Sequence, residues 1–374
     1  MALHQFLRPC RRAVSLLLWC LLALHPFMAR AETPIPKEIF PLADSGSEEE
    51  GRGYNWVSIH PDGNRWLLSE CIGKQGARVC GLFLYDFNTS RYQRYALPPG
   101  YFYMHGRFSA SGNAIVAERN PLPRDRTAAE KLRLLSETEI VRMNIDGTGF
   151  QIVPVPKGNL TYPVMSPDET KIAYWSATGA PTGSGIPHTQ EVREFDLATN
   201  ADRLFAGPFD FRLGGNLEYL SNDELAVQAF GTRGIPQKKG NGDSRYGMEV
   251  VQLKRDATVL PDPLLAQPFM YAAAMPDQRG QLHYVLQLNS REFAMVRKTA
   301  QGDTRIRKSP LLPQGGPAVL ATPPDGRYAA FIYMSTQDLT AIRKTQLGFF
   351  CWCNGDWYSV RIPAAESAEM IWIH

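Results

Sequence analysis

Cys71, Cys80, Cys351 and Cys353 offer the plainest covalent chemistry in this sequence. Eight residues separate Cys71 from Cys80, a hairpin-sized loop across which a disulfide is geometrically natural. A bridge from that loop to Cys351 or Cys353 is the alternative pairing. A Cys351–Cys353 bond would close a small, strained ring; such strained pairs can be redox-active, and a purely structural bridge is the plainer expectation. The cysteines at 351 and 353 also sit in LGFFCWCNGDWY (347–358), which concentrates Phe349, Phe350, Trp352, Trp357 and Tyr358. Aromatics exposed on such a loop, Trp352 and Trp357 foremost, are candidate contacts for a protein or a sugar. The competing expectation is a loop that folds back and caps the channel.

Cations form a second constellation. RNPLPRDRTAAEKLRLLSET (119–138) carries Arg119, Arg124, Arg126, Lys131 and Arg133, GTRGIPQKKGNGDSRYG (231–247) carries Arg233, Lys238, Lys239 and Arg245, and a later loop adds Arg343 and Lys344. Asp125, Glu130, Glu137, Asp243 and Asp338 oppose them, which leaves 11 basic residues against 5 acidic, a net +6. Gathered on one surface, Arg124, Arg126, Lys131, Arg133, Lys238, Lys239 and Arg245 are candidate binding residues. An acidic protein surface, an anionic glycan or lipid head groups would suit them. Ordinary solvated loops are the plainer alternative.

Catalytic signatures are missing. There is no G-x-S-x-G nucleophile elbow, H-E-x-x-H, P-loop or C-x-x-C-H in the chain. His60, His105, His188, His283 and His374 are scattered singly, and a lone histidine is more often a structural hydrogen-bonder than a ligand. NGDSRYGME (241–249) resembles a calcium loop only faintly, because Arg245 stands where a ligand is needed. No cofactor and no metal are expected. The leading expectation is a non-catalytic binding scaffold whose partner is an envelope protein or an anionic glycan. The alternative is a lyase or hydrolase acting on an anionic glycan at the mouth of a channel, with His105 and Glu118, or Asp210 and Glu218, as the acid–base pairs.

What positions these residues is a repeat. An apolar strand, a tight polar turn and a second apolar strand recur as VSIHPDGNRWLLSE, RFSASGNAIVAE, VMSPDETKIAYWS, EYLSNDELAVQAF, AMPDQRGQLHYVL and LATPPDGRYAAFIY. Pro61, Ala110, Pro167, Asn222, Pro276 and Pro323 mark the turns, at spacings of 49, 57, 55, 54 and 47 residues. Asp bonds the backbone ahead of it in such turns, and Gly tolerates positive φ. Most copies lead into a second pair of strands, as in GLFLYDFNTSRYQRYAL or EVREFDLATNADRLFAG. Four strands per unit, six times, predict an all-β six-bladed β-propeller of four-stranded antiparallel blades.

The phrases SPDETKIAYWS and EVREFDLATNADRLFAG resemble the S-P-D-G-K-x-I-A-F and L-Y-x-x-D-L-x-T-G units of TolB-like (WD40-like, PD-repeat) propellers. The likeness spans residues 37–374 and is clearest in the first, third and sixth units. Asn222 and Gln278 depart from the pattern in the fourth and fifth. TolB itself carries an additional N-terminal α/β domain, for which there is no room here between Ala31 and the first blade, so its role in the envelope does not carry over.

Antiparallel strands place the turns between first and second, and between third and fourth, at one end of the ring. The second-to-third connections then lie at the other end. All the long insertions (119–138, 177–190, 231–247 and 335–354) belong to that second class, which makes that end the expected binding face. Within the first, AAEKLRLL is expected to form a short amphipathic helix. Either KEIFPL (37–42) or AEMIWIH (368–374) is expected to complete the sixth blade and close the ring.

Arg8, Arg11 and Arg12, an apolar run from Ala13 to Leu24 and the small-residue site Ala29–Ala31 read as a signal peptide, 1–31. The apolar run is too short to span a bilayer comfortably, so no stable membrane span is expected after cleavage. Four of the 40 basic residues and none of the 37 acidic ones lie in that segment, so the mature chain carries 36 against 37, a net −1. That balance gives no warrant for nucleic-acid binding. A periplasmic or secreted location follows, and such compartments permit disulfides.

Overall fold

Each of the six repeat units folds into one four-stranded antiparallel sheet, and the six sheets are arranged as a six-bladed β-propeller. The computed structural model describes residues 39–41, 52–72, 79–124, 127–178, 189–209, 212–230, 248–267, 270–274, 276–277, 279–299, 301–302, 304–311, 315–335, 345–363 and 367–373. The expected signal peptide (1–31) lies outside the described residues. So do Arg126, Asp210, Arg233, Lys238, Lys239, Arg245, Arg343 and Lys344.

Blade one comprises β2 (Arg52–Ile59), β3 (Arg65–Ile72), β4 (Val79–Asp86) and β5 (Arg91–Tyr95), and blade two β6 (Tyr101–Phe108), β7 (Ala114–Pro121), β8 (Glu139–Asn144) and β9 (Gln151–Ile152). Blade three is β10 (Asn159–Met165), β11 (Lys171–Thr178), β12 (Thr189–Asp196) and β13 (Ala201–Phe209). Blade four is β14 (Arg212–Ser221), β15 (Glu224–Phe230), β16 (Met248–Lys254) and β17 (Pro263–Gln267). Blade five follows with β18 (Met270–Ala274), β19 (Leu282–Gln287), β20 (Phe293–Lys298) and β21 (Thr304–Lys308). Blade six is β22 (Gly315–Ala321), β23 (Tyr328–Ser335), β24 (Thr345–Cys351) and β25 (Trp357–Val360).

All six repeat markers fall between the first and second strands of their blades. The recurrent aspartate does there what its chemistry dictates. Oδ1 of Asp62, Asp168, Asp277 and Asp325 accepts the backbone N–H two residues ahead, at 2.8–3.1 Å. Gly63, Gly112, Gly280 and Gly326 take positive φ in these turns.

Alternation along the middle strands serves two neighbours at once. Leu67, Leu82 and Leu84 pack with Ile115, Ala117 and Val141 of blade two. Trp66, Leu68, Phe83 and Tyr85 point the other way, against Tyr328, Ala330 and Phe349 of blade six. Successive side chains leave a strand on opposite faces, so one strand feeds two inter-blade cores. Similar clusters join blades two and three, three and four, four and five, and five and six.

Ring closure differs from the expectation. Blade six builds all four of its own strands, and neither terminal segment is needed to complete it. Instead β1 (Ile39–Pro41) adds a fifth, antiparallel strand outside β25 of blade six. At the other end of the chain β26 (Glu369–Ile371) adds a fifth strand, parallel to β5, on blade one. Each end of the propeller is therefore paired to the blade built by the opposite end.

The difference has a local cause. LGFFC forms most of β24, the third strand of blade six, and was expected within a second-to-third connection. Its residues are buried on both faces, so they lack the period-two alternation of a half-exposed strand. The second-to-third connection of blade six is consequently residues 336–344, outside the described residues. The amphipathic helix is present as α1 (Ala128–Ser136), with Thr127 Oγ1 accepting the N–H of Glu130 at 3.1 Å as its N-cap. Among the described residues no helix is long and apolar enough to cross a membrane.

Candidate functional site

The six innermost strands share a defect that their sequences hint at. Pairing with the second strand slips at Tyr54/Trp56, Met104/Arg107, Thr161/Val164, Leu213/Leu217, Met270/Ala272 and Ala318/Leu320. Every inner strand therefore carries a bulge or irregularity. Bulges bend a strand and re-aim its side chains, and they collect beside functional sites. His105, Tyr162 and Val319 occupy three of them with φ of 51°, 55° and 55°, a region costly for residues other than glycine.

These bulges build an aromatic and charged knot in the ring. Trp56, His105 and Tyr162, from three successive blades, have ring centroids 4.4–5.6 Å apart. Glu118, 2% exposed, holds two of them. Its Oε1 lies 2.8 Å from His105 Nδ1, and its Oε2 accepts the Tyr162 N–H at 3.3 Å. Burial raises the Tyr162 hydroxyl to about 12. Arg107 lies over the Trp56 ring at 5.3 Å and reaches past blade three to blade four. There Nη1 donates to the carbonyl of Leu217 and to Glu218 Oε2, the latter at 2.9 Å. Burial lowers the Arg107 pKa and raises that of Glu218. Glu218 nevertheless keeps 40% of its side chain open, because it lines a cavity while protein surrounds it.

Beside this knot lies a cavity of about 560 Å³. Val57, Ile59, Phe108, Val164, Met165, Leu220 and Leu320 form apolar wall, and Trp56, Arg107, Asn216 and Glu218 supply polar groups. Pro61, Pro167, Pro276, Pro323 and Pro324 stand around it. These prolines belong to the turns between first and second strands. The cavity thus lies towards the opposite end of the ring from the long connections that carry the basic residues. Among the described residues, Trp56 Nε1, Arg107 Nε and Asn216 Oδ1 are buried without a hydrogen-bond partner.

The described part of the basic connection is largely neutralised. Arg133 pairs with Glu130 and, at 2.7 Å, with Glu137. Arg119 is buried against Glu139 at 2.6 Å and lies over the Tyr101 ring at 4.1 Å, and Lys157 shares the same carboxylate. Arg124 is exposed, and its N–H donates to Glu130. Lys131 lies on α1, and its side chain is outside the described set.

The aromatic pair at the C-terminal end also moves. Trp357 is 5% exposed in the core between blades five and six, where its Nε1 donates to the carbonyl of Lys308. It is therefore not a surface contact. Trp352 is half-buried on the turn between β24 and β25, at the cavity end of the ring. Its indole N–H donates to His283 Nδ1 at 3.1 Å, and the Arg297 guanidinium covers its ring at 4.6 Å. His283 in turn approaches Asp277 Oδ2 at 3.3 Å. The cysteines pair as Cys71–Cys80 and Cys351–Cys353. Cys71 and Cys80 face each other directly across β3 and β4, whereas Cys351 and Cys353 sit at the other end of the ring. A bridge between the two pairs is thereby excluded.

Sequence reasoning named His105, Glu118 and Glu218 but missed Trp56, Arg107, Tyr162 and Asn216. A signal for them exists: His105-Gly106, Tyr162-Pro163 and Gly214-Gly215-Asn216 interrupt strands with the residues that mark bulges.

No family model matches the sequence, and no curated protein does so. Solved structures do match. TolB from Acinetobacter baumannii superposes with a TM-score of 0.50 at 10% identity, over 84% of this chain and 64% of that one. The tricorn protease gives a TM-score of 0.52 at 13% identity, over 85% of this chain and 27% of that one. An oligogalacturonate lyase solved with manganese gives 0.47 at 15% identity, over 82% and 76%. The chain thus spans less than two thirds of TolB and about a quarter of tricorn. Likeness at these identities concerns architecture alone, and in architecture this chain is a TolB-like six-bladed β-propeller.

Proposed function

We propose that this protein is a non-catalytic binding propeller, exported to the periplasm or beyond, that receives a segment of an envelope protein in the cavity of its ring. One observation carries the reading. Among the described residues, the acids at and beside the cavity are already committed: Glu118 to His105, Glu218 to Arg107 and Asp277 to His283. The buried groups left open at the cavity are an indole N–H, a guanidinium N–H and an amide carbonyl, none of which changes charge near neutral pH. Such groups recognise a ligand; they do not shuttle protons. The His105–Glu118 pair, the best acid–base candidate for a lyase or hydrolase, is packed between Trp56 and Tyr162 rather than lining the cavity.

Between a protein and an anionic glycan, the lining favours a protein. Its cation Arg107 is paired with Glu218, and the face of Trp56 is covered by Arg107. An anionic sugar would call for free cations and an open aromatic face. Apolar wall beside a few fixed donors and acceptors suits a peptide segment. Two disulfides fit an oxidising compartment.

The test is partner capture from native envelope extract, comparing the wild type with Trp56→Phe and with a loop variant in which Arg124, Arg126, Lys238 and Lys239 become Ser. Trp56→Phe keeps the ring and removes the donor, so affinity is expected to fall about tenfold, the worth of one buried hydrogen bond. Loss in the loop variant alone would move the binding face to the basic connections. Turnover of an anionic glycan by the purified protein would replace the reading with the enzymatic one.

A further inference from the structure

The two disulfides differ in a way that bears on chemistry. Cys71 and Cys80 are 4% and 7% exposed, enclosed in blade one. Cys351 ends β24 and is fully buried, yet Cys353, one residue beyond the intervening Trp352, is exposed on the turn. An incoming group therefore meets one sulfur of this bond and not the other. The backbone N–H of Cys353 donates to Cys351 Sγ at 3.2 Å. Two cations flank the turn: Arg297 lies over Trp352, and the side chain of Arg307 packs against Gly355, where an added Cβ would stand 3.2 Å from its Nε.

We propose that Cys351–Cys353 is a thiol-exchange site, taking a small thiol of the glutathione kind, with Cys353 as the sulfur attacked. The thiolate adds to Cys353 Sγ from the solvent side, forming a new S–S bond. The Cys351–Cys353 bond breaks, and its electron pair remains on Cys351 Sγ as a thiolate. That leaving group is already met by the Cys353 N–H, which favours its charge. The product is a mixed disulfide on Cys353. Return of the Cys351 thiolate onto Cys353 expels the small thiol and restores the starting bond, while a second thiol releases the small disulfide and leaves both cysteines reduced. The thiol is the reductant in either course.

Two features make the site reversible. The strand–turn–strand frame holds both sulfurs one residue apart, with Cys351 N–H donating to the Asp356 carbonyl at 3.0 Å and Gly355 N–H to the Cys351 carbonyl at 2.9 Å. Trp352, between the cysteines, is tied to His283 and hence to Asp277, which lines the cavity. The exchange site thus adjoins the binding site without sharing a residue with it.

The native mature protein is incubated with reduced glutathione, quenched by an alkylating reagent and mapped by peptide mass. Expected are a glutathione adduct on Cys353 and alkylation of Cys351, with Cys71–Cys80 intact until denaturant is added. Equal resistance of both disulfides, or an adduct on Cys351, overturns the proposal. A second comparison does not depend on reducing the native bond. In Cys351→Ser the free Cys353 should take glutathione from oxidised glutathione about tenfold faster than Cys351 does in Cys353→Ser, as access controls thiol reactivity. Equal rates overturn it as well. Both readouts are independent of whether the cavity binds a protein.

Discussion

His283 and Asp277 form a buried pair between the first turns of blades five and six, and burial sets the sense in which His283 responds to pH. Burial holds its pKa below the ordinary 6.5, despite the hydrogen bond and charge of Asp277. The folded protein therefore keeps it neutral while the unfolded chain takes up a proton near 6.5. Its stabilising effect is complete above that value and is lost as pH falls through it towards the lower folded pKa. His60, also depressed by burial although Asp62 opposes this, acts in the same direction. Asp277 works in a different window. Burial raises its pKa, but the bonds from His283 and from two backbone N–H groups outweigh that and lower it overall, so its contribution fades only under more acidic conditions. A falling melting temperature between pH 7 and pH 5 is expected, with part of that slope removed in His283→Gln. An unchanged slope in the variant would assign the acid sensitivity elsewhere. Glu118 makes a sharper case, because it ties two strained bulge residues at once. Glu118→Ala should cost about 3 kcal/mol in a urea titration, the low end for breaking a buried pair. A cost near zero would mean that the bulges hold themselves.

At the level of single elements, α1 shows how completely a local signal can be read. Thr127 followed by Glu130 marks its start, and Glu130 also reaches back to the N–H of Arg124. Thr127→Ala is expected to destabilise this connection by about 1 kcal/mol, seen as faster amide exchange confined to 127–138. Arg133→Ala should leave partner capture unchanged, because that cation already serves Glu130 and Glu137. The six first turns were equally legible, as a side-chain oxygen bonding the backbone two residues ahead, from an aspartate in four of them and from Ser111 and Ser221 in the other two, needs nothing from the rest of the molecule. Other elements were not. β24 reads as a loop because both its faces are buried, and β1 and β26 read as rivals for one place because pairing partners hundreds of residues away leave no local trace. The cavity was illegible for a similar reason. Trp56, Arg107, Val164 and Asn216 come from four blades, and only closure of the ring brings them together.

Closure is a property of the whole ring, and three devices act on its seam. Trp66 Nε1 of blade one donates to Tyr328 OH of blade six at 2.9 Å, and that hydroxyl donates to the Gly63 carbonyl at 3.1 Å. These bonds lie within the core shared by the first and last blades. Outside that core, β1 crosses from blade one to the edge of blade six, and β26 crosses from blade six to the edge of blade one. The second crossing is anchored by Ala96 N–H on the Ile371 carbonyl at 2.9 Å and by Ile371 and Ile373 against the core between blades one and two. Two straps that span one joint in opposite directions are not independent, since either alone still resists its opening. Deleting residues 32–41 or residues 369–374 should therefore cost less singly than their joint effect implies. In a urea titration of the four chains of that cycle, a coupling between ~0.5 and ~3 kcal/mol is expected, the range for structurally linked changes. Strict additivity would show instead that each strand merely covers the edge of its own blade, and that the aromatic seam closes the ring unaided.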